Sequence, residues 1–513
     1  MKYLLTLFAS LFITHSFAQS RDLFSLAQGD FLGMNALFDE KSDIFGYISL
    51  YSYGKSGEKT KKFEYVVMDK NLNPFANNTF DGDITAADYS GYISFNGKIV
   101  LRPTRIDATL LPKEKLYTPS AMEIDLKTNT IRRKVFYEFD HGTFKEMLQH
   151  DTWTQNRKEV KEEKRKNGFI YDASVSEIKE GGYLVRDYDY YQQEEYYKNC
   201  RVMRYDTAKK QMWSYEYGKN NTDRDWEHLT LLDKNEQYIF ALLRHFTQSV
   251  DSSRFYLVVL DMKTGKVLHN KQIMAPSKEL IWINSFYTYS YGTLDNSKIF
   301  DDKIVMLGRT GKPLDRFTGF CRLLIDKNTF EVDYKTITYD DDFSPYIPDI
   351  NKHGRVESNY ILDPRDIFFM KDGSISILFE KYKPSDGYSR QKTTDMVYAY
   401  TDKDFKVQGA RLLEKQKSHW QNSDYLFSQY LNDGKDVVFF YRDLQKDAVT
   451  REKNWNLFIN TLIDGKFNQQ VIPISSPMNY IIFPYVAKQG YIMLQEYNKE
   501  ARYNQIRLER LNY

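Results

Sequence analysis

With 513 residues, 72 basic against 70 acidic side chains and a net charge of +2, the chain carries no excess of either sign, which excludes a general nucleic-acid binder. Length alone allows about two to four ordinary domains or one long repeat fold. Two cysteines exclude a disulfide-stapled scaffold, and 41 Tyr and 34 Phe against 6 Trp favour pleated, half-buried surfaces.

Residues 1–18 read as a secretory signal, with Lys2 as the charged start, Leu4 to Phe12 as the apolar stretch and Ser16-Phe17-Ala18 ahead of a cut before Gln19. The apolar run is too short to span a bilayer. No Cys stands at the cut, which predicts no bacterial lipid anchor, and no later segment is apolar enough for membrane insertion. The expectation is a soluble exported protein, periplasmic or secreted.

Beyond the signal, two markers recur. The first is a tight polar turn that opens into an apolar strand: Asn96-Gly97 before Ile99, Lys179 to Gly182 before Tyr183, and Asp233 to Glu236 before Tyr238. It returns as Lys371-Asp372-Gly373 before Ile375, Asn432-Asp433-Gly434 before Val437, and Lys488-Gln489-Gly490 before Tyr491. The second is a strand ending in an Asp-centred turn, at Asp69, Asp125, Asp206, Asp261, Asp326, Asp402 and Asp464, with gaps of 56, 81, 55, 65, 76 and 62 residues. Asp suits such corners because its side chain bonds the nearby backbone. Together the markers describe a repeated four-stranded antiparallel unit, the blade of a β-propeller.

Seven aspartate turns mark seven units, and an eighth begins at Asn479 and lacks its fourth strand. The segment Arg21 to Gln28 is the natural donor of that strand, since an open edge invites aggregation. The chain is therefore predicted to be all-β: one propeller domain over residues 19–513, closed by its terminal strands, with eight four-stranded blades. Seven blades are the alternative, and a tandem of β-sandwiches is the competing class. From Phe144 to Lys166 the text is rich in Lys, Glu and Arg, without Pro, and Gly is absent too; a helical insertion is expected there.

Loops after the first and third strands of each unit are mostly tight turns and those after the second and fourth are long, with residues 291–301 as one long loop on the otherwise plain face. Long loops on one face of a rigid scaffold are where binding residues gather. The candidate contacts on that face are His150, Trp153, Asp225, Trp226, His353, Arg355, His419 and Trp420. They read either as an aromatic and polar rim for a sugar or peptide, or as anchors that pin long loops.

Catalytic signatures are missing. Asn221-x-Asp223-x-Asp225 has calcium-loop spacing, but Trp226 stands where Gly is needed and Leu232 where the bidentate Glu belongs. There is no His-Glu-x-x-His, no Gly-x-Ser-x-Gly and no Gly-rich phosphate loop. No metal and no cofactor are expected. A carboxylate pair for glycan chemistry stays open, because such pairs meet in space.

The stretch Leu260 to Leu268 resembles the strand-turn-strand text of pyrroloquinoline-quinone-type and WD40-like propeller repeats. The Trp that closes each quinoprotein repeat is replaced by His269, and no adjacent Cys pair exists, so the resemblance implies the fold and not the cofactor. The signal ending in Phe17-Ala18-Gln19 and the Tyr- and Lys-rich body are similar to exported proteins of Bacteroidota-type bacteria. The expected function is non-enzymatic binding of a protein or glycan partner on the long-loop face. The alternative is a carbohydrate-active lyase or hydrolase with its site at the propeller funnel.

Overall fold

Strands whose two faces are both apolar need a neighbour on each side, and that requirement organises this molecule. The computed structural model describes residues 20–511 apart from 40–42, 95, 108, 110–119, 141, 148–161, 163–165, 167, 248–251, 274–280, 284–285, 289–291, 313–315, 386–390, 419–422, 447–450, 475–480, 499 and 501. Among the described residues there are eight antiparallel sheets of four or five strands and two two-stranded hairpins. In chain order, sheet one runs from Asp30–Phe38 through Ile44–Lys55 and Thr60–Asp69 to Pro74–Asp83, and sheet two from Ala86–Ile93 to Thr130–Arg133. Sheet three is Ile170–Glu177, Tyr183–Tyr191, Tyr196–Tyr205 and Gln211–Glu216; sheet four is Asp225–Lys234, Tyr238–Thr247, Ser252–Asp261 and Val267–Gln272. Sheet five ends on Val332–Thr338, sheet six spans Arg355–Val356 to Val407–Leu413, and sheet seven spans Tyr425–Leu431 to Lys466–Pro473. Sheet eight combines Ile481–Val486, Tyr491–Asn498 and Tyr503–Arg510 with Ser20–Asp22.

The chain divides into two compact units, Met1–Lys134 with Asn454–Asn456 and Ile472–Tyr513, and Val135–Lys453 with Leu457–Val471. In the first, sheet one turns Ile48, Leu50, Tyr65 and Val67 toward Ile99, Leu101 and Met122 of sheet two. Its alternate residues Tyr47, Tyr51, Val66 and Met68 meet Met493, Ile506 and Leu508 of sheet eight. In the second unit, sheet four turns Ile239, Ala241 and Val258 toward Leu184 and Val202 of sheet three. Phe240, Leu242 and Val259 meet Ile304, Met306 and Leu323 of sheet five. Sheet six does the same with Ile377, Phe379 and Val397 on one side and Leu378, Met396 and Tyr398 on the other. Burying one such side chain stabilises by about 1.5–3 kcal/mol, so a middle strand contributes from both faces. Consecutive four-stranded meanders packed in this way are the arrangement of β-propeller blades.

All seven aspartates stand between the last two strands of their sheets. Six accept backbone N–H groups as expected; Asp261 Oδ1, for instance, takes Lys263 and Thr264 N–H at 3.1 and 2.7 Å. The Thr264 hydroxyl and these amides hold its carboxyl below the usual range. Asp464 differs. It has φ 49° and is followed by Gly465 at 72°, so it sits inside a two-residue hairpin turn. The two cysteines are free and buried, Cys200 between sheets three and four and Cys321 between sheets four and five.

Two expectations need correcting. The helix predicted over 144–166 does not begin at Phe144: Thr143–Met147 is a strand paired with Phe136–Asp140. Gly142, at φ 94°, makes the turn between them. Phe144 lies against Phe139, Tyr183 and Tyr205 at 4.8–5.3 Å between ring centroids, an aromatic nest that outweighs local helical preference. Glu162 and Lys166 are helical, and the remainder of the insertion lies outside the described residues. The N-terminal donor strand is shorter than Arg21 to Gln28: only Ser20–Asp22 pairs, with Gln505–Arg507. Leu23–Ser25 then turns into a 3-10 helix, because Asp22 caps Phe24 N–H at 3.0 Å and Leu23 drops into the core.

The Tyr51 hydroxyl donates to Leu23 O at 2.6 Å, and Arg21 Nε to Leu72 O at 2.9 Å. Removing residues 20–25 leaves strand Tyr503–Arg510 as a bare edge. Loss of at least about 2 kcal/mol is expected, from the Leu23 cavity and the broken bonds. Denaturant unfolding should show it, and light scattering should show association that rises with concentration.

Candidate functional site

The predicted rim residues separate into unconnected groups. Asp225 and Trp226 open the first strand of sheet four. Trp226 is held by Tyr197 and Phe246 at 5.3 and 5.1 Å and by the Arg244 guanidinium at 5.5 Å, while His245 closes onto Asp225. That is loop anchoring. Beneath it, half-buried His228 lies 4.7 Å from the Tyr197 ring, and burial with the nearby Arg186 and Arg244 pushes its pKa down to about 4. His353 and Arg355 belong to a different loop, where Asn351 Oδ1 accepts both backbone N–H groups at 2.9 and 3.1 Å. His150, Trp153, His419 and Trp420 lie outside the described residues.

The pocket that sequence reasoning missed sits at the long-loop end of sheet three. The strand Tyr183–Tyr191 slips register between Asp187, opposite Arg201, and Asp189, opposite Lys198. A bulge of this kind re-aims side chains at a strand end. Tyr188 goes into the core shared with sheet four; Asp187 and Asp189, alternating with it, line a cavity of about 430 Å³. Its other walls come from Lys198–Arg201 and from Glu216–Asn221, the segment leading into sheet four. Asn221 fixes that segment by donating to Tyr197 O at 2.8 Å and Glu227 O at 3.1 Å and accepting Glu227 N–H at 2.8 Å. These bonds commit the first residue of the calcium-like spacing to the backbone.

Asp187 is buried and paired with Arg201, and Glu216 pairs with Lys219 at 3.0 Å on the rim. Asp189, only 7% exposed, accepts Asn199 Nδ2 at 2.7 Å through Oδ2. Its Oδ1 has no partner, and neither has Arg201 Nε. Lys198 Nζ is held over Tyr191 and Tyr196 at 4.2 and 5.1 Å, and those rings stack at 5.1 Å. Burial, with the Asp189, Glu227 and Asp187 carboxylates nearby, pushes the Cys200 thiol up to about 12, so it stays protonated and is no nucleophile. The arrangement can hold a ligand; it offers no activated attacking group.

A second charged group crosses between sheets six and seven at the same end of the strands. Arg365 bridges Asp363 at 3.2 Å and Glu380 at 2.8 Å; Lys415 bridges Glu380 at 3.4 Å and Asp424 at 2.7 Å. Ser423 donates to Glu380 at 2.9 Å, and Asp443 accepts Gln416 N–H at 3.1 Å. Burial raises the Asp424 pKa, with Lys415 opposing the shift. All five of these ion-pair partners are buried. Two carboxylates sharing one ammonium in an enclosed site read as a cross-link between loops.

Among solved structures the chain is similar to the β-propeller domain of the trilobed protease from Pyrococcus furiosus, at 10% identity over 86% of this chain and 95% of that one, TM-score 0.29. It is also similar to an α-L-arabinofuranosidase from Fusarium graminearum, at 11% identity over 67% and 94%, TM-score 0.27. The WD40 domain of SCAP from fission yeast is a third, at 8% identity over 96% and 94%, TM-score 0.20. At these scores none carries an argument about this chain. Neither a protein-family model nor a curated protein matches the sequence.

Two outcomes test the electrostatics. Lys415→Met leaves Glu380 and Asp424 buried without their shared cation and should cost about 3–5 kcal/mol in denaturant unfolding. For His228 the folded pKa lies below the unfolded value near 6.5, so its contribution is complete above that pH and is lost as pH falls toward about 4. The loss reaches at most about 3 kcal/mol, less where water reaches the ring. Stability of the His228→Phe variant should fall less steeply than wild type between pH 6.5 and 4.

Proposed function

We propose that the chain is an exported, non-enzymatic binding protein: one β-propeller domain over residues 19–513, whose eight four- and five-stranded meanders serve as blades. Its partner, a protein or a glycan, binds at the end where the second- and fourth-strand loops emerge. The pairing of Ser20–Asp22 with the last strand supports closure by the termini. The observation that carries the binding reading is the cavity of about 430 Å³ at Asp187, Asp189, Asn199 and Arg201, a recess with charged and polar walls at that end. Both cysteines are held protonated by burial, which supports a binder over a thiol enzyme.

The carbohydrate-active alternative places its carboxylate pair at Glu380 and Asp424, because burial raises the Asp424 pKa as a general acid requires. Lys415 neutralises both and the group is enclosed, which favours binding. The test uses the mature chain on a broad set of polysaccharides, reading retention and product release together. Retention without product is expected. Product release that disappears in Glu380→Gln would replace the binder with an enzyme.

A further inference from the structure

We infer that Lys415 and Asp424 condense into a side-chain amide, a covalent bond between sheets six and seven that forms within the folded chain. Lys415 follows the last strand of sheet six, Val407–Leu413, and Asp424 precedes the first strand of sheet seven, Tyr425–Leu431. Lys415 Nζ lies 2.7 Å from Asp424 Oδ2 and 3.4 Å from Glu380 Oε1. The side chains of Lys415, Asp424 and Glu380 are 0, 4 and 0% exposed, so bulk water is kept from all three. An amine, a carboxyl for it to attack and a second carboxylate to carry the proton are the groups such a condensation needs. A nucleophile held about 3–3.5 Å from its target gains the advantage of an intramolecular reaction. An oxygen at 2.7 Å sets the Asp424 carboxyl carbon near that range.

The neighbours assign the roles. Arg365 Nε and the Ser423 hydroxyl both donate to Glu380 Oε2, at 2.8 and 2.9 Å, which leaves Oε1 toward the amine. Asp395 Oδ1 accepts Lys415 N–H at 3.2 Å and Asp443 Oδ1 accepts Gln416 N–H at 3.1 Å, so the backbone that carries the amine is pinned. Burial raises the Asp424 pKa against the pull of Lys415 and Arg442, which favours Asp424 as the acid that is attacked. Glu380 passes one ammonium proton to Asp424, and the free amine of Lys415 then adds to its carboxyl carbon. Glu380 takes a second proton from the nitrogen and gives it to the hydroxyl, which leaves as water when the C–O bond breaks. One ammonium and one carboxylate become one amide and one water, and no oxidant or co-reactant is consumed. With water excluded the amide is protected from hydrolysis, and two charges that are costly to keep buried are gone. An amide at Asp424 would leave the carbohydrate-active alternative without its acid, whereas the binding reading does not depend on it.

The experiment is the intact mass of the purified, denatured full mature chain, followed by fragmentation of its peptides. Wild type should be lighter than its sequence by one water, with the fragment spectra placing the loss across Lys415 and Asp424. Lys415→Arg keeps the positive charge but supplies no amine, and it should regain the full mass. Glu380→Gln keeps the shape and removes the proton carrier, so most of its chains should also show the full mass. Full mass in wild type, or a missing water located at another residue, overturns the inference. A cross-link as complete in Glu380→Gln as in wild type overturns the role given to Glu380. The wild-type mass decides even where a variant misfolds.

Discussion

Apolar residues on both faces of the central strands impose the constraint on which the rest depends. In Tyr238–Thr247 each of Ile239 to Leu243 is buried, odd positions against sheet three and even positions against sheet five. A sheet of this kind cannot stand with one face in water. It needs a neighbour on both sides, and each neighbour needs another in turn. Packing therefore propagates from sheet to sheet within each unit, and no single sheet is stable by itself. Polar groups are left with the strand ends and turns.

At those ends the two sides differ. Turns between third and fourth strands are short and self-satisfied, with an aspartate drawing nearby amides inward at Asp69, Asp125 and Asp261. At the opposite end, sheet three bulges at Asp187–Asp189 and sheet six slips register between Glu380 and Tyr382. Buried carboxylates, Asp187 and Asp189 in one and Glu380 in the other, flank both irregularities. Each is a local departure from the pattern that builds the core, and departures of that kind concentrate where function does.

This difference also explains what was legible in the sequence. Period-2 apolar strands and Asp corners are local signals, so the repeated four-stranded unit and the positions of its turns can be read directly. The N-terminal edge strand can be read as well, because an unfilled fourth position demands a donor, though the Asp22 cap that shortens it to three residues is a detail of side-chain geometry. Helical preference misleads at Phe144, where contacts with Tyr183 and Tyr205, some 40 and 60 residues away, decide the conformation. Trp226 marks a real cluster, but a packing one. The pocket has no motif: Asp187, Asp189 and Arg201 look like ordinary strand residues, and only the fold brings them to one recess with the segment 216–221. The only available signal is two aspartates in a strand otherwise made of Tyr, Leu, Val and Arg, where a buried face expects none.

The two buried charge groups then separate by how their carboxylates are balanced. Between sheets six and seven, Glu380 and Asp424 each lie beside Lys415, and Arg365 answers Asp363. Such a group holds loops in one arrangement. In the sheet-three pocket, Asp187 is neutralised by Arg201 but Asp189 has only the Asn199 amide on one oxygen. An acceptor and a donor without partners each cost about 1–3 kcal/mol to keep buried. Replacing Asp189 by an apolar side chain would remove one such cost without touching the core, since its neighbours Tyr188 and Tyr190 already fix the strand. Asp189 stays at the wall of a cavity of about 430 Å³ with a single amide bond to hold it.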